Sequence, residues 1–591
     1  MCGIVGYIGK KSTVKILLDG LLKLEYRGYD SAGIALNMSD EMKIFKAEGK
    51  LHNLKDIMTN EKNIDAFSGI GHIRWATHGG ASKVNSHPHS CNCGSLVVVH
   101  NGIIENYQEL KEELIEQGCV FKSETDTEVI AHLVAAEFER VKDLKTAVIN
   151  SIQRLQGAFA ICVMHNNIQD LIVTAKRGAP LVLGVGSDEN YIASDIPAII
   201  EYTKSAIYLD DDQIGLVSAD EIKIYDLCGN VVKNKVERLP FEAQILSKMG
   251  YKHYMLKEIH EQGDVIRNIL GAQKNFNFDK YNRIQIVACG TSLHAALVGK
   301  YVIEDLAGVP VDVEASSEFI YRKTVIDKNT LVIGISQSGE TADTITAIKQ
   351  AKEKNAHVLI VTNRPDSTMA RLADSIFPIE AGIEVSVAAT KSYMAQLIAM
   401  YLLGTFLAEP SEKTTALKSE LLQLPLKVEM ILNNCKPIAK IARKYSSAKD
   451  FIFIARGINY ASALEGALKL KEISYINATG YSAGELKHGP IAMLDENMPV
   501  LAFLNEGIVY DKVLSNCQEA KARQAKLIAV TNVEDVNGEL FDDVIKIPHV
   551  SDMLSPVLNA VVLQFFAYYI AEFLGKDVDQ PRNLAKSVTV E

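Results

Sequence analysis

Cys2 follows the initiator methionine directly, in Met1-Cys2-Gly3-Ile4-Val5-Gly6. Removal of Met1 leaves a thiol and a free α-amine on one residue, and such an amine can act as the thiol's general base. That pairing is a compact way to attack an amide. The bland alternative is a small apolar residue opening an edge strand. Far downstream, Glu465, Lys469 and Glu472 are spaced i, i+4, i+7 on a helical pattern and share one face. An exposed ion-pair ladder has the same spacing, but Leu464, Leu468 and the neighbouring alanines leave little room for a solvated face. His488 stands between the glycine- and proline-bounded turns of Gly484-Glu485-Leu486-Lys487-His488-Gly489-Pro490. Histidine titrates near neutrality and suits proton transfer to a substrate oxygen. The C-terminal segment Asp577 to Glu591 is neither a charged tail nor an amphipathic helix. A frayed end is the default for such a segment. Pro581 stiffens it, and Leu584, Val588 and Val590 are expected to pin it to a core. Lys586 would then sit in a low dielectric, where lysine loses its proton more easily and forms a Schiff base with a carbonyl.

Two turns offer hydroxyls together with backbone N–H groups. They are Cys289-Gly290-Thr291-Ser292 and Ser336-Gln337-Ser338-Gly339-Glu340-Thr341. Each follows an apolar strand pattern and opens a helical one, where partial positive charge favours phosphate. Ordinary helix caps use the same residue types, but two such turns in one unit favour an anion site. No lysine-bearing phosphate loop is present, so a small phosphomonoester suits the site better than a nucleotide triphosphate.

The elements that must position these groups divide at mid-chain. Residues 1–239 carry short β-type runs such as Ile4 to Ile8 and Ser95 to His100, with helical patterns at Glu105 to Gln117 and Asp126 to Arg140. This predicts a layered α/β domain rich in antiparallel strands. From residue 281, apolar strands alternate with longer helical patterns, as in doubly wound parallel sheets. The pairs Ile286/Phe453, Val332/Val500 and Asn363/Asn532 lie 167, 168 and 169 residues apart, so two copies of one fold stand in tandem. The second copy has Arg456 and Asn505-Glu506 where the first has its hydroxyls, so its phosphate site is expected to be lost. Leu239 to Phe278 is read as an ordered connector. The net charge of −11 argues against a nucleic-acid partner. Nine cysteines without a regular framework fit a reduced, cytoplasmic compartment. Pro556 to Ile570 is apolar but interrupted by Asn559 and Gln564. It predicts a buried helix rather than a membrane span. The His87-Pro88-His89-Ser90-Cys91-Asn92-Cys93 run lacks the spacing of a four-ligand zinc site, so no metal is expected.

The first half carries Cys2-Gly3-Ile4-Val5-Gly6, Tyr26-Arg27-Gly28-Tyr29-Asp30-Ser31, Gly71 to Gly79, His100-Asn101-Gly102 and Ser123 to Glu128. In these it resembles the class II glutamine amidotransferases of the N-terminal-nucleophile group. The second half resembles a pair of sugar isomerase (SIS) domains. The combination, with its tail, resembles the glutamine–fructose-6-phosphate aminotransferase (isomerizing) family in its bacterial form. The resemblance implies an α/β chain: a layered α/β/β/α sandwich over 1–239, a connector at 240–280, SIS domains at 281–430 and 448–578, and a closing tail at 579–591. It implies L-glutamine and D-fructose 6-phosphate as substrates, a homodimer, no cofactor, and neither nucleic acid nor membrane as partner. Cys2 would attack the glutamine amide, with Asn101 and the Gly102 N–H as oxyanion hole. Arg74 would pair with the α-carboxylate and Asp126 with the α-amine, while Trp75, Thr77 and His78 complete the pocket and Trp75 gates an ammonia channel. Cys289, Gly290, Thr291, Ser292, Ser336, Gln337, Ser338 and Thr341 would hold the sugar phosphate, with Val387 and Ala388 lining the sugar. Ala389 stands where relatives often have serine. Lys586 would form the imine, His488 from the neighbouring subunit would open the ring, and Glu472 would move the proton, supported by Lys469 and Glu465. Another phosphosugar amidotransferase, a deglycase, or a sugar-phosphate sensor are the competing readings.

Overall fold

A computed structural model describes residues 2–38, 41–59, 61, 64, 66–239, 248–272, 281–536 and 538–588. The chain divides into two compact units; one holds the described residues up to Leu239 together with Ser587 and Val588, the other those from Lys248 to Lys586.

In the first unit two antiparallel sheets face each other. The strand Gly3–Gly9 lies mid-sheet, between Ala66–Arg74 and Glu189–Ala193, in a sheet of eight strands. Cys2 thus leads into a central strand, not an edge. Leu96–Gly102 lies near one end of a seven-stranded sheet, paired with Phe159–His165. Strands that alternate faces bury one row of side chains against the other sheet. Ile4, Ile8, Ala35 and Ile70 meet Val97, Val99, Ala160 and Met164 in that middle layer. Helices Thr13–Leu24 and Leu51–Thr59 cover the outer face of the first sheet. Tyr107–Glu116, Thr127–Val141 and Leu144–Ile152 cover the second. The order is α/β/β/α.

The second unit contains two five-stranded sheets, every strand parallel to its neighbours. In the first, Val311–Ala315 is the edge beside Arg283–Ala288, followed by Thr330–Ser336, His357–Thr362 and Ser375–Pro378. In the second, Asn477–Ser482 is the edge beside Asp450–Ala455, followed by Pro499–Phe503, Lys526–Thr531 and Asp543–Lys546. The repeat seen in the sequence is therefore a repeat of strand order as well. One core serves both copies. It joins Ile286, Ile333 and Tyr401 to Phe453, Leu470 and Phe566. The helix Ser555–Phe573 is apolar and long enough to cross a membrane by length alone, yet 89% of its most apolar window is buried inside the protein. It is a core helix.

The helices Tyr254–His260 and Gln262–Gly271 follow residue 248, and Met255, Ile259, Val265 and Ile266 join that same core. The rest of the expected connector, 240–247 and 273–280, lies outside the described residues. So do Met1 and the last three residues of the tail, Val590 among them.

Candidate active sites

In the first unit the Cys2 sulfur packs on the backbone of Trp75. The Trp75 N–H donates to it at 3.3 Å, and Sγ lies 3.5 Å from the Trp75 carbonyl. Burial pushes the thiol pKa up, partly opposed by that N–H and by Arg74. Asn101 and Gly102 end the strand Leu96–Gly102, and the Asn101 amide donates to the Cys2 carbonyl at 3.2 Å. Gly102 has φ +126°, and a Cβ there would lie 2.0 Å from the Ala158 carbonyl, so only glycine fits. The Asp126 carboxylate is buried and accepts the Ile104 N–H at 2.9 Å.

Arg74, expected to meet the α-carboxylate, is engaged by backbone carbonyls. Its guanidinium is buried and donates to the carbonyls of His78, Gly79 at 3.0 Å and Gly80 at 3.3 Å. It therefore holds the 78–80 loop instead of standing open to a carboxylate. Burial lowers its pKa, with Cys2 and Asp126 opposing. Asn85 holds the same loop through the Gly80 carbonyl and Glu124. Trp75 is half-buried, edge-on to Tyr29 at 5.8 Å, and His78 is edge-on to Tyr107. Thr77 is exposed. Asp30, quoted only as part of a motif, accepts the Ala76 N–H at 2.9 Å and so fixes this segment.

In the second unit Ser336, Ser338 and Thr341 come together in one turn. Ser336 and Thr341 hydroxyls lie 2.9 Å apart, and Ser336 Oγ accepts the Gly339 N–H at 3.0 Å. Gly339 has φ +65°. Thr341 caps the helix Ala342–Glu353 in position, though its side chain makes no cap bond. The Gln337 carbonyl accepts the Asn363 N–H at 3.2 Å.

The other turn points elsewhere. Cys289 and Gly290 open the helix Gly290–Ala307, with the Cys289 sulfur 3.7 Å from the Thr344 hydroxyl. Thr291 donates to Glu465 at 3.2 Å, and Ser292 accepts from Gln396 at 3.0 Å. Thr291 thus spends its proton on Glu465, whereas Ser292 only accepts and keeps its own O–H to donate. Asn505, in the second copy, is buried among amides and bonded to Asn559 at 2.8 Å.

Glu465, Lys469 and Glu472 lie on one helix, Tyr460–Ser474. They do not form a surface ladder, for Glu465 and Lys469 side chains are 0% exposed and Glu472 only 19%. Lys469 reaches Glu472 at 2.5 Å and Glu465 at 3.5 Å. Burial alone would depress its pKa, but the flanking carboxylates raise it. Glu465 also meets His294 at 2.7 Å.

Lys586 is 6% exposed and ion-paired with Glu384, which is 0% exposed. Glu384 also accepts the N–H groups of Thr390 at 2.9 Å and Ser392 at 3.0 Å, and the Ser392 hydroxyl at 2.6 Å. Burial would raise its pKa; the Lys586 ammonium and these donors bring it down to about 2. Next to it, Glu258 accepts the N–H groups of Val385 and Ser386, yet burial and the charge of Glu384 push it up to about 7. The sequence reading expected a lone desolvated lysine and missed both acids. Glu384 lies in the apolar run 381–387 and Glu258 on the helix Tyr254–His260, and no spacing in the sequence links the two.

Apolar anchors were expected for the tail, and Val588 is not one, being 56% exposed. Asp579 does the anchoring. Its carboxylate accepts the N–H groups of Tyr254 and Met255 at 2.9 Å each, at a helix N-terminus that favours negative charge. Its carbonyl accepts the Val387 N–H at 3.0 Å, and the Ala388 carbonyl accepts from Ser386 at 2.9 Å, so these two backbone groups are already engaged. His488 is exposed at the end of a 3-10 turn, Glu485–His488, with no hydrogen bond to Lys586, Glu472, Lys469 or Glu465 within this chain.

Comparison with known proteins fits this division. A glutamine amidotransferase domain model matches residues 74–201, and an SIS domain model matches 278–405 and 444–571. The glutamine–fructose-6-phosphate aminotransferase [isomerizing] of Gloeobacter violaceus is 48% identical over 611 aligned residues, covering 100% of both chains. The chain belongs to the glutamine–fructose-6-phosphate aminotransferase (isomerizing) family. Members of this aminotransferase family from Aquifex aeolicus and Clostridium tetani are 46% and 45% identical, again over the whole of both chains. The solved C-terminal domain of the Francisella tularensis aminotransferase is 39% identical, with a TM-score of 0.54; the match covers 57% of this chain and 99% of that one.

Proposed function

We propose that the protein converts D-fructose 6-phosphate and L-glutamine to D-glucosamine 6-phosphate and L-glutamate, the entry step to hexosamine synthesis. Family membership over the full chain carries this reading. In it, the Cys2 thiol adds to the glutamine side-chain amide after Met1 is removed. The Asn101 amide and the Gly102 N–H stabilise the oxyanion, where preorganised donors matter most. Asp126 holds the α-amine, and Arg74 turns from the 78–80 carbonyls to the α-carboxylate, a bidentate match. Ammonia leaves, and water releases glutamate from the thioester.

In the second unit the turn Ser336–Thr341 binds the sugar phosphate. Lys586 leaves Glu384, gives protons to the C2 carbonyl oxygen of the open-chain sugar as its nitrogen adds to C2, and that oxygen departs as water, leaving a protonated imine. Ammonia replaces the lysine, and Glu472 moves a proton from C1 to C2, its charge supported by Lys469. His488, exposed on its own chain, reaches the site of a second copy, so a homodimer is part of the proposal. So is a reduced, cytoplasmic setting, consistent with nine cysteines of which none is disulfide-bonded.

Two variants test it. Cys2→Ala abolishes glutamine hydrolysis and leaves sugar-phosphate binding. Lys586→Arg keeps hydrolysis but loses both the borohydride-trapped sugar adduct and product, because guanidinium stays protonated. Normal hydrolysis in Cys2→Ala, or product from Lys586→Arg, would overturn the reading.

A further inference from the structure

One buried histidine of the first unit has no part in the proposed chemistry. His72 lies on the strand Ala66–Arg74, paired with Ile4 on one side and Gly33 on the other. Its ring is completely buried. His72 Nε2 lies 2.9 Å from the His100 carbonyl and 3.0 Å from Asn101 Oδ1. A carbonyl only accepts, so Nε2 carries the hydrogen and shares it between the two oxygens. The other ring nitrogen is buried without a partner. The ring is therefore neutral, with one defined tautomer. It stacks on His87 at 4.0 Å, and His87 meets His89 at 4.9 Å. Gly33 permits this approach, since a Cβ there would lie 2.2 Å from the His87 carbonyl. Burial holds the pKa of His72 down at about 3.

From this geometry we infer that His72 is a positioning residue for the oxyanion hole, selecting which end of the Asn101 carboxamide faces Cys2. The inference rests on the proposed role of Asn101. With Oδ1 held by His72, Nδ2 is turned toward Cys2, 3.2 Å from its carbonyl. A flipped amide would set Nδ2 against the His72 N–H, two donors facing each other in a dry site, and would present an acceptor where negative charge must develop. His72 touches neither substrate nor the reacting atoms. It works through Asn101 alone.

The test compares His72→Leu, His72→Gln, Asn101→Ala and the double variant His72→Leu/Asn101→Ala in the full chain. Leu removes the donor, whereas Gln can place an N–H near the position of Nε2. His72→Leu is expected to lose about 100-fold or more in kcat for glutamine hydrolysis, as for loss of an oxyanion donor. Its KM for glutamine should stay within about threefold, because ground-state binding is untouched. His72→Gln should recover at least about tenfold of the loss, and the double variant should be no slower than Asn101→Ala, as for residues acting in one unit. Alkylation of Cys2 by iodoacetamide forms no oxyanion, so its rate should be unchanged in His72→Leu and His72→Gln and reports that the site has folded. Wild-type kcat in His72→Leu overturns the inference. So does a double variant that is further slowed, or a His72→Gln as slow as His72→Leu, since either makes the residue a packing element. Slowed alkylation overturns it too, by assigning the loss to collapse of the site. Wild-type kcat in Asn101→Ala removes the proposed oxyanion hole itself, which separates failure of that reading from failure of this one.

Discussion

Lys586 is surrounded by more negative charge than a lone imine lysine would need. Its ammonium is among the causes that lower both Glu384 and Glu258. Lys586→Met removes the cation and leaves two buried carboxylates, so their folded-state pKa values rise. An acid whose folded pKa exceeds its unfolded value holds its proton more tightly when folded. Its contribution to stability is then lost as pH rises from the unfolded value through the folded one. Lys586→Met should therefore lose stability relative to the unchanged chain as pH rises above about 2, where Glu384 ionises when Lys586 is present, and again above about 7, where Glu258 does. Urea unfolding at acid and neutral pH would show it, as a gap that widens by about 1 kcal/mol or more, the worth of one pKa unit. A gap independent of pH would mean that Lys586 does not hold these acids. At this scale the sequence was legible where a residue is singular. Cys2 stands out by its position and Glu465, Lys469 and Glu472 by helical spacing. Glu384 does not stand out, because its environment is made by donors at 390 and 392 and a partner 202 residues away.

The phosphate turn shows what an element adds to its residues. Ser336, Gly339 and Thr341 are tied to one another before any ligand arrives. Ser336→Ala and Thr341→Ala should each weaken fructose 6-phosphate binding by about 1–3 kcal/mol, the range for hydrogen bonds to a charged group. Gly339→Ala should do more harm, since its Cβ would fall 2.0 Å from Ser367 Oγ at a positive φ. Asn505→Ala should leave affinity alone and cost stability instead, about 1–3 kcal/mol, because one N–H of the buried Asn559 amide loses its acceptor while the other stays on Asn459. Calorimetry and thermal unfolding separate the two effects; equal affinity losses at Ser336 and Asn505 would contradict a degenerate second copy. The repeat itself was readable because strand registers preserve spacing. The directions of Thr291 and Ser292 were not, because they depend on Glu465 and Gln396 reaching in from other helices.

At the scale of the whole molecule, the distribution of apolar side chains decides what can be separated. The middle layer and the two outer layers of the first unit draw only on residues before 240. The two SIS copies instead share one core, in which Tyr393 and Leu402 of one copy join Phe451 and Phe566 of the other. The sequence divided 281–430 from 448–578 by the repeat alone, and a repeat does not reveal a common core. Cutting between residues 239 and 248 should thus leave both halves folded, whereas cutting between the SIS copies should not, since each side would expose the apolar face the other covers. A fragment of residues 1–239 with Met1 removed should hydrolyse glutamine. A fragment of residues 248–591 should unfold in one cooperative step and form the borohydride-trapped adduct on Lys586. Fragments 281–430 and 448–578, expressed alone, should lack a cooperative thermal transition and expose apolar surface to dye. A sharp transition in either one would show that each SIS copy is a domain in its own right and that the shared core is an interface between finished parts.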